Sequence, residues 1–371
     1  MTEGRRLSAI VLAAGQGTRM KSARPKPLHR LCGRTMVGHV LGALPADQVE
    51  RAVVVVGHGG DEVRKVIAEE EAAVRLEFVE QKVQRGTGDA VLVGLSGLSE
   101  DELDDEEEVL VLPGDTPLLT RESIDGLLAA HRESGAACTV LTARFVDPTG
   151  YGRIVRGRDD RVMRIVEQRD ATPAEAEIDE INTGIFCFRR SILAPALRRL
   201  GPENSQGEYY LTDVVEVLAE MGYSVTSRVA DDPDETHGVN DRRQLAAAEA
   251  ELRRRNNDAW MARGVTMLDP DQTYLDVTVE LAEDVTIYPG VVLQGRTVVG
   301  PRSKIGAGCR LVDCIIGSDS TVKQTEARRA TIGDDAHVGP YASLDPGSEV
   351  ASGTRTGPFY TSSGTDQEGS H

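Results

Sequence analysis

Between Leu281 and Val350 aliphatic residues return at a fixed step, and few folds can use such a step. Leu281, Ile287, Leu293, Val299, Ile305 and Leu311 stand six residues apart. A one-residue slip leads to Ile316 and Val322, after which Ile332, Val338, Leu344 and Val350 resume the period. Glycine often follows the aliphatic residue, as in Val299-Gly300, Ile305-Gly306, Ile332-Gly333 and Val338-Gly339. This is the hexapeptide signature of a parallel β-helix: three hexads close one coil, and each aliphatic side chain points inward to stack on its equivalents. Chance alternation in an ordinary sheet would not hold one phase over so many positions.

The first 240 residues follow another plan. Short apolar runs, such as Arg51 to Gly57 and Cys138 to Ala143, alternate with helical stretches such as Asp61 to Glu70. That alternation predicts a mostly parallel sheet with helices on both faces. Ligands of such sheets bind beyond the carboxyl ends of the strands. From Asp241 to Arg263 there is neither Pro nor Gly, and Gly264 follows, which predicts one long helix acting as a connecting rod. The expected division is therefore 1–240, a helix over 241–263, the repeat region 264–356, and a tail 357–371 without periodic aliphatics, expected to be disordered.

Composition excludes several classes of function. The formal net charge of −18 argues against a nucleic-acid binder, which would carry a basic stripe. Cys32, Cys138, Cys187, Cys309 and Cys314 include no Cys-x-x-Cys pair and no His at zinc spacing, so they read as buried thiols. No segment approaches about twenty apolar residues, so neither a signal peptide nor a membrane span is expected, and a cytoplasmic location is. The acidic run Glu100 to Glu108 reads as a solvated loop without function.

Against this acidity, one stretch is locally basic. Between Gly4 and Ala46 there is no Asp or Glu, but Arg5, Arg6, Arg19, Lys21, Arg24, Lys26, Arg30 and Arg34 are present. The apolar run Leu7 to Leu12 reads as a buried strand, and Gly15 and Gly17 follow it, where bare backbone can approach phosphate oxygens. The Gly-x-x-x-x-Gly-Lys-Ser/Thr loop is absent. A dinucleotide fingerprint would want Gly where Met20 stands and an acidic residue about twenty positions on, and Pro25 and Pro27 keep the chain extended where its helix would begin. A phosphate cradle with Arg19 and Lys26 as its cations is what remains.

Other polar residues sit at strand ends. Asp115, in Leu112-Pro113-Gly114-Asp115, suits a metal ion facing phosphates or a turn or helix cap. Gln81 to Ala90 is a polar, Gly-rich turn whose Gln81 side chain and Gly86 backbone suit a base edge, or it is a loop with an N-cap. Glu167 and Asn182 lie beside apolar strands and suit sugar hydroxyls or satisfied core positions.

Taken together these pieces resemble the bacterial bifunctional N-acetylglucosamine-1-phosphate uridyltransferase/glucosamine-1-phosphate acetyltransferase family, from about Leu7 to about Val350. The matching motifs are Leu-Ala-Ala-Gly-x-Gly-Thr-Arg-Met, Pro-Lys, Gln-x-x-Gln-x-Gly-Thr-Gly, Gly-Asp-x-Pro-Leu and Gly150-Tyr151-Gly152-Arg153-Ile154. Val166-Glu167-Gln168, Asn182-Thr183-Gly184, Glu208-Tyr209-Tyr210-Leu211-Thr212-Asp213 and Gly238-Val239-Asn240 continue the series. The resemblance implies an α/β, Rossmann-like nucleotidyltransferase domain with a mixed, mostly parallel sheet, followed by a short left-handed parallel β-helix. By position it implies that Leu12, Ala13, Gly15, Gln81, Gly86 and Thr87 hold the uridine nucleotide, with Arg19 and Lys26 as the catalytic phosphate-binding cations. Gly152, Glu167, Asn182 and Thr212 would hold the amino-sugar-1-phosphate, and Asp115 and Asn240 the Mg²⁺. The implied reaction joins UTP and N-acetylglucosamine-1-phosphate; the alternatives are another sugar-1-phosphate or NTP such as dTTP, or an idle nucleotide-sugar sensor or scaffold. The β-helix would support a homotrimer, or leave a monomer if its coils are too few.

Three departures stand out. Asp89 replaces the His usual after Gly-Thr-Gly, and Pro113 a frequent Tyr. In Leu344-Asp345-Pro346-Gly347 an acid replaces the Arg of the family's second site. The periodicity also ends near Val350, before the coils that would carry a catalytic His and the coenzyme A site, so a truncated C-terminal domain without acetyl transfer is expected.

Overall fold

The computed structural model describes residues 6–57, 59–70, 72–98, 107–158 and 160–362. They divide into two units: residues 35–245 with the segment before Arg30, and residues 246–371 with Arg30–Arg34. The acidic run from Glu100 lies mostly outside the described residues.

The first unit is built on one mixed sheet. Across it run Val225–Val229, Cys138–Arg144, Glu180–Arg189, Glu108–Pro113, Leu7–Ala13, Val49–Val56 and Arg75–Glu80. Leu7–Ala13 is parallel to both its neighbours, whereas Glu180–Arg189 is antiparallel to both of its own. A hairpin of Arg153–Arg156 and Val162–Val166 joins the edge of Glu180–Arg189. Burial on both faces explains the continuous apolar runs: Val53 and Val55 pack into one core with Ile10 and Phe186, while Val54 and Val56 pack into another with Ala9, Val11 and Leu112. Helices cover each face, with ends closed by local chemistry. Helix Arg121–Ser134, for example, starts where the Thr120 hydroxyl accepts from the Ser123 N–H and stops at left-handed Gly135.

The second unit is the parallel β-helix that the hexads predict, left-handed as the resemblance implies, with three parallel sheets as its walls. Ile287, Ile305, Val322 and Val338 stack down one wall, and Leu281, Val299, Ile316, Ile332 and Val350 down another. The third stacks Leu275, Leu293, Leu311, Ala327 and Leu344. Ala327, 1% exposed, is the inward position that aliphatic periodicity skips between Val322 and Ile332. Successive partners on the first wall are 18, 17 and 16 residues apart, because corners shorten while the inward stack is kept.

Three features differ from the sequence reading. Residues 357–362 of the expected tail carry strand Thr361–Ser362, paired with Ser343–Leu344, and Phe359 stacks on Tyr341 at 5.2 Å; residues 363–371 lie outside the described residues. The long helix Arg242–Ala262 is more than a rod. Buried Asn257 donates to the Pro270 and Thr273 carbonyls, and Trp260 and Met261 pack against the β-helix core. The hairpin Arg30–Arg34 belongs to the second unit, where the Cys32 N–H donates to Glu249 at 2.8 Å and the Cys32 carbonyl accepts from Val277 at 2.9 Å. Part of the basic stretch is therefore structural. No helix among the described residues is long and apolar enough to cross a membrane.

Candidate active site

The site forms in the first unit, at the carboxyl ends of its central strands. The Leu12 carbonyl accepts from Gly114 N–H at 2.9 Å, and the Val56 carbonyl accepts from Gln81 N–H at 2.8 Å, so the loops after four strands leave in linked pairs. Past Ala13 and Ala14 the two glycines separate in role. A Cβ on Gly15 would meet nothing within 4 Å. Gly17 has φ 61°, and a Cβ there would lie 2.5 Å from Lys26 Cβ. This close approach lets the chain fold back through turns Thr18–Met20 and Lys26–Leu28, anchored by buried Met20 and Leu28. Arg19 and Lys26 are thereby brought side by side.

Two oxygen donors meet these cations. The Asp115 carbonyl accepts from Val239 N–H at 2.8 Å, and Gln244 Oε1 accepts from Asn240 N–H at 2.7 Å, which hold the Gly238–Asn240 segment against the strand end. Arg19 and Lys26 both donate to Asn240 Oδ1 at 2.9 Å. The Lys26 ammonium also donates to the Asp115 carboxylate. One cationic nitrogen thus bridges the two oxygens expected to hold a metal ion. Among the described residues no cluster of three or more His, Cys, Asp or Glu side chains has metal-site geometry. Two protein oxygens suit a cation such as Mg²⁺, which keeps water and takes its other ligands from phosphate.

A second cluster gathers Gly152, Glu167, Asn182 and Thr212. Thr212 Oγ1 donates to Glu167 Oε1 at 3.2 Å, and a Cβ on Gly152 would stand 3.4 Å from that oxygen. Asn182 N–H donates to the Gly152 carbonyl at 2.8 Å, and Asn182 Oδ1 accepts from Gly184 N–H at 3.0 Å. Burial pushes the Glu167 carboxyl above the usual carboxylate range, against the pull of the Thr212 hydroxyl. Asp213 is pushed up to about 6, first by burial and then by the charges of Glu167, Glu216 and Asp170.

That shift has a stability consequence. Asp213 binds its proton more tightly folded than unfolded, so its contribution is full below about pH 4 and is lost as pH rises through about 6. Asp213→Asn is expected to stabilise the protein by a few degrees at about pH 8 and to change little at about pH 4. Thermal melts at the two pH values check it; equal shifts at both would contradict it.

The loop that carries Gln81 and Gly86 is locked to the segment that carries Thr212. Tyr209 N–H donates to the Arg85 carbonyl at 2.7 Å, Gly88 N–H to the Tyr209 carbonyl at 2.8 Å, and Leu211 N–H to Thr87 Oγ1 at 2.9 Å. One lone pair of the Thr87 hydroxyl therefore serves a joint between loops. Gln81, 5% exposed, donates from Nε2 to the Gly86 carbonyl at 3.2 Å and to Asp89 Oδ2 at 2.8 Å.

Residues without an expected role also shape the site. Arg153, 2% exposed, donates to the Tyr151 carbonyl and to Gln168 Oε1, which also accepts from Gly150 N–H. It fastens the Gly152 loop to the strand end bearing Glu167. A charged residue at a fully buried strand position was the available signal. Tyr151 packs edge-on against Phe145, which stacks on His237, so an aromatic row ties this loop to the segment leading into Asn240.

The MobA-like NTP transferase domain family matches residues 9–218, which include every residue of the two clusters except Asn240. "Bifunctional protein GlmU" of Trichlorobacter lovleyi is 45% identical over 370 residues, covering 98% of this chain and 79% of the relative. The protein of the same name from Halalkalibacterium halodurans is 43% identical over 351 residues, 95% of this chain and 75% of the relative. The chain therefore belongs to the GlmU family, and its MobA-like NTP transferase domain makes it a sugar-1-phosphate nucleotidyltransferase.

Proposed function

We propose that the chain transfers UMP from UTP to N-acetylglucosamine-1-phosphate, giving UDP-N-acetylglucosamine and pyrophosphate, with Mg²⁺ held by Asp115 and Asn240. The observation that carries this reading is the meeting of Arg19, Lys26, Asp115 and Asn240 at one point beyond the strand ends. When bound there, Mg²⁺ supplies neutralisation of phosphate charge. Arg19 and Lys26, released from Asn240 and Asp115, then face the phosphate oxygens. A sugar-phosphate oxygen attacks the α-phosphorus, the bond to the bridging oxygen breaks, and pyrophosphate leaves with that electron pair. The nucleophile is already largely ionised at neutral pH, so no strong base is required, and catalysis is positioning and charge stabilisation. Gly152, Glu167, Asn182 and Thr212 offer the polar cluster for the sugar, and Gln81 and Gly86 the base edge.

Pyrophosphate release, screened across UTP, dTTP, CTP, ATP and GTP against a panel of sugar-1-phosphates with Mg²⁺, tests the proposal. The expected best pair is UTP with N-acetylglucosamine-1-phosphate. A different best pair moves the substrate assignment, and no turnover with any pair removes the catalytic reading.

The proposal assigns no acetyl transfer to these 371 residues. Asp345 places an anion where a sugar phosphate would need a cation, and acetyl transfer from acetyl-CoA to glucosamine-1-phosphate would overturn that. Assembly as a homotrimer through the β-helix is part of the same reading, supported by exposed Val298 and Ile315 on neighbouring strands of one wall. Light scattering reads the assembly directly.

A further inference from the structure

Gln81 can face a ligand in only one sense, and Asp89 is the reason. A side-chain amide has a donor end and an acceptor end, and its orientation follows from its partners. Both fixed partners of Gln81 are acceptors only: the Gly86 carbonyl at 3.2 Å and the Asp89 carboxylate at 2.8 Å. Turning the amide over would set its oxygen against two oxygens in a buried position, with the loss of both hydrogen bonds. Both Nε2 protons are spent on these two acceptors, which leaves Oε1 as the end that can meet a ligand.

We infer that Asp89 is the positioning residue that fixes Gln81 as a pure acceptor, and so selects nucleotides whose base offers an N–H at that edge. Uracil and thymine offer an imide N–H there; cytosine offers a lone pair, which an amide oxygen repels. The Gly86 carbonyl holds one Nε2 proton but leaves the second without direction, so the carboxylate supplies the second point that stops rotation. Asp89 need not touch the nucleotide: it acts through Gln81. The inference rests on the nucleotidyl-transfer reading and states which class of base that site takes.

The test is the ratio of kcat/KM for UTP to that for CTP, at fixed sugar phosphate and Mg²⁺, in the wild type, Asp89→Ala and Asp89→Asn. Because each ratio is taken within one preparation, a general loss of folded protein cancels. Asp89→Ala is expected to lower the ratio about tenfold, and Asp89→Asn, whose oxygen still accepts from Gln81, to hold it within about threefold. Equal losses for the two nucleotides in Asp89→Ala would overturn the inference and leave the uridylyl reading standing. A wild-type preference for dTTP, lost in Asp89→Ala, would support the inference and overturn UTP as substrate. A wild-type preference for CTP would overturn both.

Discussion

Alanine at Asp115 is expected to lower turnover by on the order of a hundredfold or more, the scale of losing one preorganised electrostatic group. Among the described residues, Asp115 is the carboxylate bonded into the Arg19, Lys26 and Asn240 cluster. Without it the cation is left to the Asn240 oxygen, and a neutral amide holds a divalent cation weakly. Arg19→Ala should cost a comparable factor, since it removes a cation from the developing charge while leaving the oxygens in place. The two variants differ under Mg²⁺ titration. Asp115→Ala should need far more metal for half-maximal rate, whereas Arg19→Ala should keep the wild-type requirement with a lower ceiling. Near-normal turnover in either would contradict the assignment of these residues.

The β-helix was legible because its inward positions obey a single rule, and the rule failed only where a small side chain met it. Ala327 fills the stack as Leu311 and Leu344 do, but an alanine does not register as an aliphatic beat. Residues 357–362 were misread for the related reason that Thr361–Ser362 adds to a wall by backbone pairing, with no apolar side chain pointing in. In the first unit the strands were visible as apolar runs, and the basic stretch pointed to Arg19 and Lys26, which the fold brings together at Asn240. Its full extent was misleading, because Arg30 and Arg34 sit in a hairpin that serves the other unit. That partition depends on contacts such as Cys32 with Glu249, far apart in the chain, which local sequence cannot carry.

The candidate site itself was legible as a set of residue types and not as an arrangement. Asp115 was equally compatible with a turn or helix cap, Asn240 entered only through the resemblance, and the bonds of Lys26 and Arg19 to them are what a sequence does not display. Arg153 stood in the sequence only as part of a motif and Asp89 only as a departure from one, because their partners are backbone carbonyls and amide side chains rather than ligands. Residues that aim other residues leave little trace in a single sequence.

Gly86→Val is expected to be the most damaging single change outside the charged cluster. Gly86 has φ 111°, a region essentially closed to residues with a Cβ, and a Cβ there would lie 2.4 Å from the Tyr209 carbonyl oxygen and 2.8 Å from its nitrogen. The obstacle is the Tyr209 backbone, so no side chain can move aside. Relief requires the loop to separate from Tyr209, breaking the bonds of Gly88 and Leu211 and carrying Thr212 away from Glu167. Backbone strain and lost hydrogen bonds together should cost about 3 kcal/mol of stability. Unlike the Asp115 variant, this one should raise KM for nucleotide and sugar phosphate together, because the same joint supports both subsites. Thr87→Val provides the graded comparison: it removes only the acceptor for Leu211 N–H and should cost about 1 kcal/mol. Isothermal unfolding and two-substrate kinetics on both variants separate the cases. A Gly86→Val protein of wild-type stability, or one impaired toward the nucleotide alone, would show that the two loops are not coupled as their hydrogen bonds indicate.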